Sequence, residues 1–204
     1  MYKDFFEKIF CLHLTHRDDR LKQIIEDFKR VGLLEYVEFY NCDKDDSMGG
    51  NFGIYSLVKK AKELNVNNVL IFEDDADFFE EYNNKLDTCI EDIKKQDWEL
   101  FYLGGTVFGE AKKITDNIAK LSRAYATQSI CLNRNIFDIL LDNKDIYMNH
   151  IPIDKYIDEN IISRQKSYIT IPLLVGQREG YSDCMNSNQN YNEMMKNYYN
   201  KMLK

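Results

Sequence analysis

The residues best equipped for chemistry follow a short apolar run. Val69-Leu70-Ile71-Phe72 leads directly into Glu73-Asp74-Asp75-Ala76-Asp77. Clustered carboxylates repel one another, and a cation or a shared proton relieves that repulsion. Hard oxygen ligands suit Mg²⁺ or Mn²⁺, and either ion can in turn grip substrate phosphates. The chemistry this pattern points to is metal-assisted work on a phosphorylated molecule. If the chain stays extended, alternate residues share a side. Asp75 and Asp77 would then face one crevice, and Asp74 would turn away, free to bond a ribose hydroxyl. A solvated turn of acids is the plainer alternative, so the reading depends on where the cluster falls in the fold.

A second group lies near the N-terminus, where Thr15-His16-Arg17-Asp18-Asp19-Arg20 follows an apolar strand and opens a helix. Such a junction offers backbone N–H groups and a helix dipole to an anion, and Arg17 and Arg20 add charge. A surface salt bridge is the competing role for Arg20. His13, His16 and His150 form no spaced pair; His13 reads as structural, and His150 as a candidate to complete a metal shell. The loop from Asp43 begins like a calcium loop, but Met48 and Ile54 stand where its glycine and bidentate glutamate belong. Neither a dinucleotide fingerprint nor a Walker lysine motif is present, which argues against NAD and P-loop chemistry.

Alternating elements must position these groups. Apolar residues 9–14 predict a strand, followed by a helix capped by Asp19 that buries Leu21, Ile24, Ile25, Phe28 and Val31 and stops at Gly32. A strand over 37–42 and a helix carrying Ile54, Leu57, Val58, Ala61 and Leu64 lead to the acidic strand. A helix over 82–95 and a strand over 98–103 follow. Four consecutive apolar residues at 69–72 read as a strand buried on both faces, as in a parallel sheet. The expected fold class is α/β: one domain with a mostly parallel, twisted sheet flanked by helices, and a ligand crevice outside the carboxyl ends of its strands. Further on, 104–122 reads as a loop or short hairpin over the site and 124–132 as one strand. Asn133 is expected to cap a short helix, and Pro152 to start another near Asp154. An Asn-rich linker covers 186–192, and Tyr191, Met194, Met195, Tyr198, Tyr199, Met202 and Leu203 form one helical face for the core or a partner copy. The division expected is 1–185 as the main domain and 186–204 as linker plus amphipathic helix.

With 204 residues and 44% hydrophobic content the chain can bury a full core. A net charge of −7 argues against a nucleic-acid or anionic-membrane surface, though not against a small anion neutralised locally. Five scattered cysteines without a C-x-x-C pair suit structural thiols in a reducing compartment. With no signal-like N-terminus and no membrane-length apolar run, a cytoplasmic location is expected.

Several of these pieces, in this order, resemble glycosyltransferase family 25, the lipooligosaccharide-biosynthesis and collagen galactosyltransferase group. The opening strand and arginines of that family are matched by Leu12-His13-Leu14-Thr15-His16-Arg17-Asp18-Asp19-Arg20, and its glycine and serine before a helix by Gly53-Ile54-Tyr55-Ser56. Its Leu-x-x-Glu-Asp-Asp is matched by Leu70-Ile71-Phe72-Glu73-Asp74-Asp75, and its Asp-Trp-Asp-Leu-x-Tyr-Leu-Gly is similar to Asp97-Trp98-Glu99-Leu100-Phe101-Tyr102-Leu103-Gly104. Ala124-Tyr125-Ala126, Pro152-Ile153-Asp154-Lys155-Tyr156 and Pro172-Leu173-Leu174-Val175-Gly176-Gln177 with Ser182-Asp183 resemble its later segments. Two positions depart from the pattern: Leu57 stands where the family carries His, and His13 where it carries Asn.

The resemblance implies a GT-A fold, a nucleotide-sugar donor such as UDP-galactose or UDP-glucose, a glycan acceptor and Mn²⁺ or Mg²⁺. It implies Asp75 as first metal ligand with Asp77 or Glu73 assisting, and Asp74 on the ribose or donor sugar. Leu14, Thr15, Arg17, Arg20, Asp43 and Ser56 would line the donor pocket. Inverting transfer needs a general base, and Asp154 is the candidate, against a plain helix N-terminal acid. The rival functions are a nucleotide-sugar-binding module without turnover and a metal-dependent phosphohydrolase; the latter lacks any nucleophile motif here. A homodimer through the terminal helix is a further expectation.

Overall fold

The computed structural model describes residues 2–43, 49–182 and 187–204. The calcium-like loop beyond Asp43, together with Asp183 and Cys184, lies outside the described residues. In chain order, α1 (Tyr2–Phe5) leads to β1 (Lys8–Leu14), α2 (Asp18–Arg30), β2 (Val37–Cys42), α3 (Gly49–Glu63), β3 (Asn68–Glu73) and β4 (Ala76–Phe78). The middle holds α4 (Tyr82–Ile93), β5 (Leu100–Tyr102), β6 (Thr106–Val107), β7 (Ala111–Lys113), β8 (Ile118–Leu121), β9 (Ala124–Tyr125) and β10 (Ser129–Asn133). The last third comprises α5 (Phe137–Asp142), α6 (Lys144–Asn149), α7 (Ile153–Asn160), β11 (Ser167–Thr170), β12 (Val175–Gln177), β13 (Gly180–Ser182), β14 (Ser187–Gln189) and α8 (Tyr191–Met202).

Eight strands form the central sheet in the order β2-β1-β3-β10-β5-β11-β8-β7. Six run one way; β10 and β8 run against them, because both of their pairings are antiparallel. The sheet is therefore mostly parallel in strand direction, as expected for an α/β domain. Its centre differs from a simple βαβαβαβ succession, since β10 inserts between β3 and β5. Ile130, Cys131 and Leu132 are buried on both faces, and such a run carries no mark of its direction.

The period of two along β3 divides the core. Val69 and Ile71 face a cluster that holds Ile54, Leu57 and Val58 of α3, whereas Leu70 and Phe72 face Ile24 and Phe28 of α2 and Cys89, Ile90 and Ile93 of α4. On the second face the Phe28 ring packs edge-on to Phe39, Phe72 and Phe78, with centroids 6.0, 5.5 and 5.7 Å away. Helix α2 starts at Asp18 with Arg17 as its cap residue, two residues earlier than a cap by Asp19 would give. Asn133 does cap its turn, accepting from the Asn135 N–H at 3.1 Å.

Two segments fold more finely than their composition predicts. Residues 104–122 contain three strands, two of which, β7 and β8, join the main sheet. The strand expected over 124–132 is broken in two by Ala126, whose φ of 79° lies in the left-handed region that a side chain disfavours. The final helix packs inward: Met195 and Tyr199 are buried, and the Tyr199 hydroxyl donates to the Thr170 carbonyl at 2.9 Å. Among the described residues, no helix is long and apolar enough to cross a membrane.

Truncating Phe28 to alanine should cost about 3–5 kcal/mol of stability, because the surrounding rings cannot close the void. Urea unfolding measures this; a loss under about 1 kcal/mol would mean that this ring cluster does not hold α2 to the sheet.

Candidate functional site

The carboxyl ends of β1, β2 and β3 lie side by side, since β1 pairs parallel with both neighbours and Leu12 stands opposite Glu73. This brings the two chemistry-bearing segments of the sequence together. Asp74, just beyond β3, is 2% exposed and reaches across to β1. Its Oδ2 accepts from the Leu14 N–H at 3.0 Å and lies 2.8 Å from His13 Nδ1, while its Oδ1 accepts from Arg20 at 3.2 Å. Asp74 thus stitches the end of β1 to the end of β3 and to the first turns of α2. His13 is a buried structural partner in that arrangement.

Asp75 is 6% exposed and is also held by Arg20, whose Nη1 lies 3.0 Å from Oδ2. Gln177 on β12 donates its Nε2 to the same oxygen at 3.1 Å. The backbone of Asp75 is fixed as well, because its carbonyl accepts from the Arg178 N–H at 2.7 Å. Among the described residues, Asp75 Oδ1 is buried without a hydrogen-bond partner. Burial pushes the Asp75 carboxyl up, and the Arg20 charge is the chief opposing influence. A buried carboxylate oxygen with no partner is a vacancy in hydrogen bonding that a cation can fill.

Glu73 ends β3 and is partly exposed. It accepts from the Thr127 hydroxyl at 2.5 Å, and burial together with the neighbouring Asp75 charge pushes it up to about 8. The charge of Asp154 contributes to the same rise, so the first turn of α7 lies within electrostatic reach of the acidic cluster. Asp154 Oδ1 accepts from the Lys155 N–H at 2.7 Å, and its Oδ2 faces the strained Ala126, whose N–H is 3.4 Å away. Asp77 sits on β4, where its Oδ2 accepts from Asn192 of α8 at 2.7 Å.

The remaining residues spread around this centre. Thr15 donates to Asp43 at 2.8 Å, joining the exposed ends of β1 and β2. Arg17 pairs with Asp19 at 2.9 Å, and Arg17 and Arg20 both donate to the Tyr181 carbonyl, at 3.1 and 2.8 Å. The arginines are thus tied to the hairpin β13–β14 as well as to the acids. Leu14 is half-buried next to these groups, and Ser56 is half-buried on α3. Among the described residues, no group of three or more His, Cys, Asp or Glu side chains is arranged to hold a metal unaided. The donor set fits a hard cation only as one or two carboxylates completed by oxygens of a bound substrate, which is how Mg²⁺ is commonly held beside phosphates. Gln177 and Asn192 were not legible as site residues, because neither type carries a chemical signature and both lie in the least regular part of the sequence.

A family model described as "Glycosyltransferase family 25 (LPS biosynthesis protein)" matches residues 55–173, more than half of the chain. That span takes in Ser56, the acidic cluster and Asp154, and leaves out the β1 end, Gln177 and α8. Procollagen galactosyltransferase 1-B of Xenopus laevis is 28% identical over 130 residues, covering 48% of this chain and 21% of its own length. The chain therefore spans about a fifth of that relative. Among solved structures, UDP-glucose pyrophosphorylase complexed with UDP-glucose is similar with a TM-score of 0.52 and 13% identity, over 95% of this chain and 81% of that one. An apo UDP-glucose pyrophosphorylase gives a TM-score of 0.51, 13% identity, and 95% and 80% coverage. At that identity the likeness concerns the fold.

The Arg20 contacts lead to a stability test. Arg20→Met should destabilise the protein by about 3–5 kcal/mol near neutral pH, because a buried carboxylate loses its partner. Without Arg20, the folded-state pKa of Asp75 rises further above its unfolded value. The deficit should therefore be smallest in acid and should grow as pH rises through the folded value. Urea unfolding in mildly acidic and mildly alkaline buffer measures this; a deficit independent of pH would show that Arg20 acts by packing alone.

Proposed function

Because the chain belongs to glycosyltransferase family 25, we propose that it transfers a hexose from a nucleotide sugar, UDP-galactose or UDP-glucose, to a hydroxyl of a glycan or glycoconjugate. The observation that carries this reading is Asp75, buried at the end of β3 with one oxygen held by Arg20 and Gln177 and the other, among the described residues, without a partner. Asp75, assisted by Glu73 or Asp77, would hold Mn²⁺ or Mg²⁺ together with the donor diphosphate. When bound, such an ion supplies Lewis-acid neutralisation of the charge on the leaving nucleoside diphosphate.

The chain's own residues do the rest. Leu14, Thr15 and Asp43 line the base and ribose side, where the ends of β1 and β2 are joined by the Thr15–Asp43 hydrogen bond. Arg17 and Arg20 flank the diphosphate side, and Ser56 approaches from α3. Asp74 holds the wall of this pocket, because both of its oxygens already bond His13, Leu14 and Arg20. Asp154 acts as general base. It takes the proton of the acceptor hydroxyl as that oxygen bonds to the anomeric carbon, and the carbon–phosphate oxygen bond breaks with its electron pair leaving on the diphosphate. One such displacement inverts the anomeric centre. The first turn of α7 suits this role, since one Asp154 oxygen is fixed by a short bond and the other, among the described residues, carries a long one.

Calorimetric titration with UDP, with and without Mn²⁺, tests the donor site. Binding should require the metal in the wild type and be lost in Asp75→Ala; an unchanged affinity in that variant would remove Asp75 from the metal site. Asp154→Asn should lower transfer by about 10²–10⁴-fold and leave the UDP affinity as it was. Weakened UDP binding in Asp154→Asn would instead place that residue in the donor pocket.

A further inference from the structure

Outside the span matched by the family, helix α8 makes a set of contacts that converge on the acidic cluster, and we propose that Asn192 is a positioning residue for Asp75 and Asp77. The proposal rests on the reading of those two carboxylates as cation ligands. Asn192 uses both ends of its amide. Its Nδ2 donates to Asp77 Oδ2 at 2.7 Å, and its Oδ1 accepts from the Gln177 N–H at 2.8 Å. Gln177 in turn donates its side chain to Asp75 Oδ2 at 3.1 Å. One side chain thus reaches Asp77 directly and Asp75 through a single intermediary.

The consequence for each carboxylate is the same. Asp77 has Oδ2 engaged by Asn192, and Asp75 has Oδ2 engaged by Gln177 and Arg20 while Oδ1, among the described residues, lacks a partner. Hydrogen bonds that occupy one oxygen fix the plane of a carboxylate and leave the other for a ligand, which is how outer partners orient metal ligands. The seat for Asn192 is built for it. A Cβ on Gly176 would come within 1.8 Å of Asn192 Oδ1 and 2.6 Å of the Phe79 ring, so a glycine is what admits the amide. The helix is pinned on both sides of this position. Asn190 caps it by accepting from the Glu193 N–H at 3.3 Å, Lys196 Nζ lies 4.3 Å from the Phe79 ring centre, and Tyr199 anchors the far end on Thr170. The register of α8 is therefore set independently of the Asp77 contact, as a positioning element requires.

The test compares Asn192→Ala with Tyr199→Phe, which removes a buried hydrogen bond from the same helix without touching Gln177 or Asp77. Mn²⁺ is titrated into each protein with saturating UDP, and amide hydrogen exchange at Gln177 is followed without any ligand. Asn192→Ala should weaken Mn²⁺ binding by about tenfold or more and speed exchange at Gln177, with a melting temperature close to that of Tyr199→Phe. Tyr199→Phe should leave both readouts at wild-type values. Wild-type Mn²⁺ affinity in Asn192→Ala, or an equal weakening in Tyr199→Phe, would overturn the proposal. If the wild-type protein binds no UDP with Mn²⁺, the donor-site reading fails by itself; Gln177 exchange then decides alone whether Asn192 positions that strand, and unchanged exchange in Asn192→Ala overturns it.

Discussion

Two adjacent buried carboxylates, Asp74 and Asp75, can sit at the end of a central strand only because one guanidinium reaches both. Arg20 is delivered by the first turns of α2, and its reach depends on β1 lying parallel beside β3. The pairing of these strands, the docking of α2 through Phe28 and the electrostatics of the acidic cluster are thus one arrangement seen at three scales. A buried ion group of this kind is weak support for stability, since hydrophobic replacement is often neutral or favourable. What it secures is two carboxyl groups kept out of water beside a single guanidinium.

The same constraint explains why the arginines face inward. An arginine that opens a helix after a strand reads equally as a phosphate contact or as a surface salt bridge. Here Arg20 neutralises the chain's own acids and, with Arg17, grips the Tyr181 carbonyl. The hairpin β13–β14 is thereby tied to the start of α2. Ala126 contributes from the opposite side. Its left-handed backbone turns the chain between β9 and β10, aiming Thr127 at Glu73 and the Ala126 N–H at Asp154. Strain of this type persists only where surrounding contacts over-determine it.

Much of the scaffold was legible from the chain. The apolar run at 69–72, the helical spacing from Leu21 to Val31 and the cap at Asn133 each reflect local rules of period and hydrogen bonding. Direction was not legible at Ile130-Cys131-Leu132, because a strand buried on both faces looks the same read either way. The break at Ala126 is hidden for a related reason, since alanine gives no warning of a positive φ as glycine or asparagine would. In the candidate site, residue type points to the acids and arginines, whereas the partners of Glu73, Asp74, Asp75 and Asp77 depend on contacts 54 to 115 residues apart along the chain. Asn192 lay in a stretch whose composition suggests a linker, and only the docked helix reveals that its amide spans two strands.

The insertion of β10 has a consequence for how the protein is made. The first hundred residues contain β1, β2 and β3 and the helices that cover them, but β3 lacks its other neighbour until residues 129–133 have left the ribosome. Until then an apolar strand presents an open edge, a surface that pairs readily with other chains. The acidic residues where β3 ends place charge at the tip of that edge, and charged side chains are one of the features that disfavour edge-to-edge pairing.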